Sequence, residues 1–222
     1  MSKAKTNQAR IAYSLRQMQN LASADLPVQA QAMGLKVDGD GNIKVRFLGH
    51  DYLVTNSDIR SLENRFTTVD TKSVLAHYIT SKGTGELLPD FLPIARLTGI
   101  ASGASAGASP SDNLAKPLGD KFGSDYETFK RAALQIGAKH LGLGQSGAQT
   151  FELDDLPKLP VRLEFFEADE EFDAEIKLLF NAASTRFVSY ECLEILTMSV
   201  VVEILMVAGL ISDPEDCEAS FI

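Results

Sequence analysis

Cysteine is scarce in this chain: Cys192 and Cys217 are the whole supply. Two thiols cannot complete a four-cysteine iron–sulfur or zinc site alone. They could form a bridge. The start, MSKAKTNQARIAYSLRQMQ, has basic residues but no continuous apolar stretch, so it does not read as a secretory signal. A reducing, cytoplasmic setting is therefore expected. Positive charge is short too, with 21 Lys and Arg against 30 Asp and Glu. Gripping a phosphate backbone needs clustered basic residues, and none cluster here, which speaks against nucleic acid as a partner. An anionic membrane surface is disfavoured for the same reason.

Long hydrophobic runs are equally few. ILTMSVVVEILMVAGLI, Ile195 to Ile211, carries Glu203 inside it. A spanning helix wants about 20 apolar residues without a central charge. The segment is expected to be a buried core helix, not a membrane span. Glu203 then sits at a wet helix edge or is a paired buried acid. The histidines, His50, His77 and His140, show no local zinc spacing. No P-loop occurs.

What is present is apolar periodicity. Ile11, Leu15, Met18 and Leu21 mark one face of a helix over Gln8–Leu21. A second short helix follows over Leu26–Met33, with Pro27 in its first turn. Leu35 and Val37, then Ile43, Val45 and Phe47, alternate with polar residues, and Tyr52–Val54 completes a three-stranded meander turning at Gly49 and His50. A helix is predicted over Asp70–Ser81. Phe91–Leu97 reads as a short strand. Gly99–Asn113, mostly small or polar, reads as a loop, flexible or ordered by a ligand. Helices are predicted over Asn113–Phe122 and from Ser124, the cap of an S-D-Y-E box, to Gly137. The segment GAKHLGLGQSGAQ reads as a loop. Strands over Phe151–Leu153 and Val161–Phe166 follow, then a last helix over Ser189–Gly209. The order predicts an α+β fold: a mostly antiparallel sheet, meander plus C-terminal hairpin, packed with helices and ending in a long C-terminal helix. Residues 1–33 read as an N-terminal helical arm, and residues 34–222 as a single α+β domain.

Two motif matches fail on context. GLGQSG, Gly142 to Gly147, fits G-x-G-x-x-G, but a helix leads in and a strand leads out, the reverse of a dinucleotide cradle. DGDGN, Asp38 to Asn42, starts like a calcium loop. It has Ile43 where that loop needs Gly and Gly49 where it needs Glu, so it reads as a hairpin turn.

The stretch EFFEADEEFDAEIKLLF carries seven acids from Glu164 to Glu175 and no Lys or Arg between them. Phe172, Ala174, Ile176, Leu178 and Phe180 alternate as in a strand, although Phe172, Ile176, Leu179 and Phe180 would also share a helix face. Three roles stay open. In the first, Glu167 to Glu171 form a solvated turn joining two strands. Asp169, Glu171, Asp173 and Glu175 are candidate ligands for a divalent metal, because hard cations prefer clustered carboxylates. Glu167, Asp169, Glu170 and Glu171 are a candidate docking surface for a basic partner. His77, beside Tyr78 on a helix, is the histidine to follow, and the two form a candidate cofactor contact.

The C-terminal residues also carry a resemblance. Pro157 and Pro160, then Asp169-Glu170-Glu171-Phe172, then Leu179-Phe180, then Tyr190-Glu191 at the last helix resemble the domain of unknown function 3786 family. The strand pair around Val45 and Phe47 and the segment Leu75–Ile79 are compatible with it. The chain departs at Asn181, where Asp is expected, at Ala168 for Gly and at Phe166 for Trp. Any ligand role for an acid at 181 is weakened accordingly. The resemblance implies membership of a group found mainly in anaerobic bacteria and archaea, some fused to iron–sulfur domains of the kind found in corrinoid proteins. It implies no activity, and no catalytic residue carries over.

Three functions are thereby expected. The first is an accessory protein that binds a corrinoid, tetrapyrrole or metal cofactor, or a redox partner protein, in anaerobic metabolism. The second is an enzyme using the carboxylate cluster with a divalent metal. The third is a subunit of a homodimer joined through the last helix.

Overall fold

The computed structural model describes residues 3–81, 83, 85–97 and 114–212. Alternation sets its first sheet. Ile43, Val45 and Phe47 are buried while Lys44 and Arg46 are exposed, as one dry face of a strand requires. They form β2 (Ile43–Phe47), between β1 (Lys36–Val37) and β3 (His50–Val54). A fourth strand, β4 (Ile59–Ser61), follows in the antiparallel order β1-β2-β3-β4. Three residues are too few to show a period, and β4 is not foreseen from sequence. The β2–β3 turn is tight. Leu48 and Gly49 have φ of 50° and 81°, the left-handed pair that matches strand twist. A Cβ on Gly49 would lie 2.8 Å from the Gln135 carbonyl oxygen, so glycine is needed there twice over. His50 belongs to the strand rather than to the turn.

The second sheet runs β5 (Phe91–Pro93), β9 (Glu175–Asn181), β8 (Val161–Phe166), β7 (Gln149–Leu153), β6 (Lys139–Leu143), again antiparallel. The expected hairpin is β8 with β9, and Leu163 faces Leu178 across it. Its second strand begins at Glu175, not at Phe172. The Asp169 carboxylate accepts from the N–H groups of Glu171 and Phe172, both at 2.8 Å, which folds a side-chain turn and withdraws those amides from any ladder. β6 replaces a predicted loop. It is an edge strand with a bulge between His140 and Gly142, and its mostly exposed side chains leave no alternation to read. Gly142–Gly147 lies at its end and in the turn to β7, with no helix following. Phe91–Leu97 divides into β5 and a one-turn helix, α4 (Ile94–Leu97).

The other helices are α1 (Lys3–Ala22), α2 (Leu26–Met33), α3 (Val69–Ile79), α5 (Lys116–Phe122), α6 (Tyr126–Gln135) and α7 (Tyr190–Val207). α1 does not bury the predicted row. Tyr13, Ser14, Gln17 and Leu21 are buried, while Ile11 and Leu15 are exposed. Asp25, Thr68 and Ser189 cap α2, α3 and α7 by accepting a backbone N–H. The cap of α6 is Asp125, not Ser124: its carboxylate accepts from Thr128 N–H at 3.0 Å. Phe129 on α6 meets Phe151 and Phe165 of the second sheet at 5.5 and 5.2 Å between centroids. α7 buries Leu193, Leu196, Val200 and Ile204 and packs on α3 and α6. The buried side chains of both sheets and of these helices join into one core. The fold is α+β, with antiparallel sheets and a long C-terminal helix. Among the described residues no helix is long and apolar enough to cross a membrane. Cys217 and the segment 99–113 lie outside the described residues.

Candidate functional site

The helices bring one histidine to a junction that the sequence does not display. α1 and α3 pack side by side, and α7 begins against them. His77, in the last turn of α3, faces Tyr13 of α1 and Ser189 at the start of α7. The Ser189 backbone N–H donates to His77 Nε2 at 3.1 Å. An amide N–H has no lone pair to offer, so Nε2 is the acceptor and Nδ1 carries the ring proton. Nδ1–H then donates to the Tyr13 hydroxyl at 2.8 Å. That hydroxyl shares a further hydrogen bond with Ser189 Oγ at 3.4 Å. Ser189 Oγ also accepts from the Cys192 N–H at 3.3 Å, as the helix cap. The Tyr13 and His77 rings stack at 5.9 Å, and the Arg16 guanidinium lies 5.2 Å from the Tyr13 centroid.

Burial and charge agree with that tautomer. Burial, and then the Arg16 charge, hold the His77 pKa below the ordinary imidazole range. Burial raises the Tyr13 phenol above its usual range, and pushes the Cys192 thiol up to about 12. Cys192 is wholly buried and is a thiol, not a thiolate nucleophile.

Beside His77 opens a cleft of about 800 Å³. Gln17 and Asn20 of α1, Gln29 of α2, Thr80 after α3 and Arg186 before α7 line it. Gly83 closes one wall by lying against Arg186 and Phe187, where a Cβ would come 2.1 Å from a carbonyl oxygen. The Ser81 hydroxyl donates to the Phe187 carbonyl and accepts from Gly83 N–H, tying this wall to the entry of α7.

The two residues of the predicted cofactor contact part company. Tyr78 points into the core, where its hydroxyl donates to the Met33 carbonyl at 3.1 Å and accepts from Lys158 N–H at 2.9 Å. It is fully buried and fully bonded, and it pins α2 and the β7–β8 loop to α3. His77 borders the cleft, but both of its ring nitrogens are spent on protein groups. To ligate a corrinoid or tetrapyrrole metal an imidazole must offer a free lone pair, and this ring presents none, so His77 does not fit the role of a metal ligand.

The acidic residues lie elsewhere. Glu167, Asp169, Glu170, Glu171, Asp173 and Glu175 are all exposed, at and beside the β8–β9 turn. Glu175 pairs with Lys177 at 3.1 Å. The Asp169 carboxyl is held below its usual range by the two amides that it caps. Among the described residues, no three His, Cys, Asp or Glu side chains are arranged to hold a metal ion. Asn181 is buried, and its amide does what a carboxylate could not. It accepts from Leu88 N–H and Ala183 N–H, both at 3.0 Å, and donates to the Leu88 carbonyl at 2.6 Å.

Sequence reasoning missed Tyr13, Ser189, His50, Arg10 and Arg65. His50 places Nδ1 2.7 Å from Glu63 and Nε2 3.0 Å from Glu203. Arg65 adds a two-pronged pair to Glu203 at 3.1 and 3.4 Å. Glu203 is thus the paired, half-buried acid of the two alternatives. Its interruption of an apolar run was the one available signal; its partners are more than 130 residues away in sequence.

No curated protein and no solved structure matches the chain. The sequence profile described as Domain of unknown function (DUF3786) matches residues 25–203. That span holds both sheets, His77, Ser189 and Glu203, and leaves α1, with Tyr13 and Arg10, outside. Matched over most of its length, and through every strand, the chain belongs to that family.

Proposed function

We propose that this protein is a non-enzymatic accessory protein of the cytoplasm that binds a polar organic ligand in the cleft beside His77. The carrying observation is the lining of that cleft: amide side chains from α1 and α2, hydroxyls just after α3, one arginine, and a histidine locked neutral by protein partners. A cleft of about 800 Å³ accommodates a cofactor-sized molecule, and hydrogen-bonding walls select a polar one. His77 serves the wall rather than the chemistry, since a proton on Nε2 would break its bond to Ser189. Anaerobic metabolism is the setting to which the family resemblance points.

The test is native mass spectrometry of protein purified anaerobically, with Ser23→Trp as a cleft-filling variant. Ser23 is exposed on the rim, so the variant should fold. The expected result is a small molecule that travels with the wild type and not with Ser23→Trp. Equal retention by both would overturn the cleft as its site.

The acidic turn supports a second reading, as a dock for a basic partner protein. Phe172 stands 70% exposed there, on a turn fixed by Asp169 and ringed by Glu167, Glu170 and Glu171. An aromatic on a fixed acidic turn offers an anchor and a steering field together. Binding of a partner should weaken with salt and with Glu170→Lys and Glu171→Lys. Binding indifferent to both would remove this reading.

A further inference from the structure

The cleft beside His77 is lined by polar side chains whose bonding capacity the fold leaves unspent. Gln17, on α1, is the most telling. It is 4% exposed, and it lines the cleft. Its Oε1 accepts from Asn20 Nδ2 at 3.4 Å, and its Nε2 has no acceptor among the described residues. A buried amide with idle N–H donors costs stability unless something else accepts from it. Gln29, on α2, lines the cleft too, and its side-chain amide bonds to none of the described residues. Arg186 is the third. Its guanidinium is exposed and pairs with no acid among the described residues, unlike Arg16, Arg46, Arg65 and Arg162. The backbone beneath it is fixed: the Ser81 hydroxyl holds the Phe187 carbonyl, and Gly83 lies against the Arg186 carbonyl. α7 adds the positive end of its dipole, since its cap Ser189 lines the same cleft. Asp25, the acid among these residues, spends Oδ1 on Val28 N–H and stands at the positive end of α2.

We infer that the ligand of this cleft is a hydroxylated organic anion, with a carboxylate or phosphate head on Arg186 and hydroxyl groups on the amides of Gln17, Asn20 and Gln29. The inference rests on the reading of the cleft as a ligand site. Charge sets the head. The Arg186 fork matches two oxygens of one oxyanion, and the α7 dipole favours the same sign. The walls set the body. A hydroxyl both donates and accepts, as an amide does, so a polyol can use Gln17 Nε2, Asn20 Oδ1 and both ends of Gln29 in turn. An apolar body would leave the Gln17 donors dry and unbonded. His77 lends no charge: neutral and bonded through both ring nitrogens, it keeps the wall in place. The volume of about 800 Å³ takes a sugar acid or a sugar phosphate.

Gluconate and glucose 6-phosphate are the probes, with glucose and glucosamine as neutral and cationic controls. The readout is calorimetric titration of the full chain, freed of copurifying molecules by dialysis. At least one of the two anions should bind saturably, about tenfold or more tighter than glucose, and glucosamine no tighter than glucose. The anion that binds names the head group. Arg186→Gln, at an exposed position, should bring that anion down to the affinity of glucose. Arg60→Gln, an equal loss of charge on β4, should leave it unchanged. Gln17→Met, close in size but without the amide, should weaken the anion several-fold, with a melting curve to confirm the fold. Anions that bind no tighter than glucose, or an anion that Arg186→Gln and Arg60→Gln weaken alike, would overturn the inference. So would an anion held equally by wild type and Ser23→Trp, which would lie outside the cleft. The two readings fail separately: if Ser23→Trp sheds a copurifying molecule while neither anion binds the wild type, the cleft stands as a site and the anion assignment falls.

Discussion

Two histidines anchor the helical layer from opposite ends, and they do so by opposite chemistry. His77 is held between a phenol and a backbone amide, two neutral groups, and the amide fixes its tautomer. His50 is held between two carboxylates, Glu63 and Glu203, and makes both bonds only when both ring nitrogens carry protons. The His50 contact in turn holds the Glu63 carboxyl below its usual range. The same side chain therefore serves as a neutral hinge pin in one corner and as the centre of a charge cluster in the other. The difference lies entirely in the partners. Polar neutral partners in a buried corner make stability depend on pH through the ring. Charged partners at a half-open corner add a dependence on salt.

That contrast can be broken in several ways. The largest effect is expected from Glu203→Ala, which strips Arg65 and His50 of a shared acceptor at a half-buried position. A loss of about 3 kcal/mol is expected by chemical denaturation. In 1 M salt, where screening acts over about 3 Å, part of that difference should vanish. A difference unchanged by salt would mean that packing, not charge, holds the corner.

His77→Ala should cost about 2 kcal/mol, because it orphans the Ser189 N–H and the Tyr13 hydroxyl near the start of α7. Here salt should change nothing. A salt-dependent loss would place His77 in the charged class with His50.

pH separates the two corners further. The pKa of His77 is lowered on folding, so below about pH 6.5 the unfolded chain binds the proton that the folded chain refuses. Its contribution to stability is present above that value and is lost as pH falls through the lowered folded one. Wild-type stability should therefore drop as pH goes from 7 toward 5, and His77→Asn should flatten that slope. An unchanged slope would transfer the proton uptake to another group. The smallest effect is expected from Glu63→Gln. Its carboxylate is exposed, and its melting temperature should lie closest to the wild type of all these variants.

The outer framework was legible in the sequence, and the corners were not. The meander, the β8 strand, the 26–33 helix and the C-terminal helix follow from short-range period, which the residues carry within themselves. β6 was illegible because an exposed edge strand has no buried face to write a pattern. The buried face of α1 was misread because Ile11 and Leu15 are the more apolar residues, yet Tyr13 and Gln17 face its neighbours. Of the predicted site residues, His77 does stand at a cleft. Tyr78 is a core strut, and the acids form an exposed turn.

By itself, then, the sequence determined the class of fold, the shortage of basic residues, and the interruption of an apolar helix by Glu203. Those are properties of composition and of spacings under ten residues. Only the tertiary structure decided what each polar group is for. Tyr13, His77 and Ser189 lie 64 and 112 residues apart along the chain, as do His50 and Glu203 at 153. A hydrogen bond has a range of about 3 Å and leaves no periodic trace in sequence, so its partners are known only when folding has brought them together.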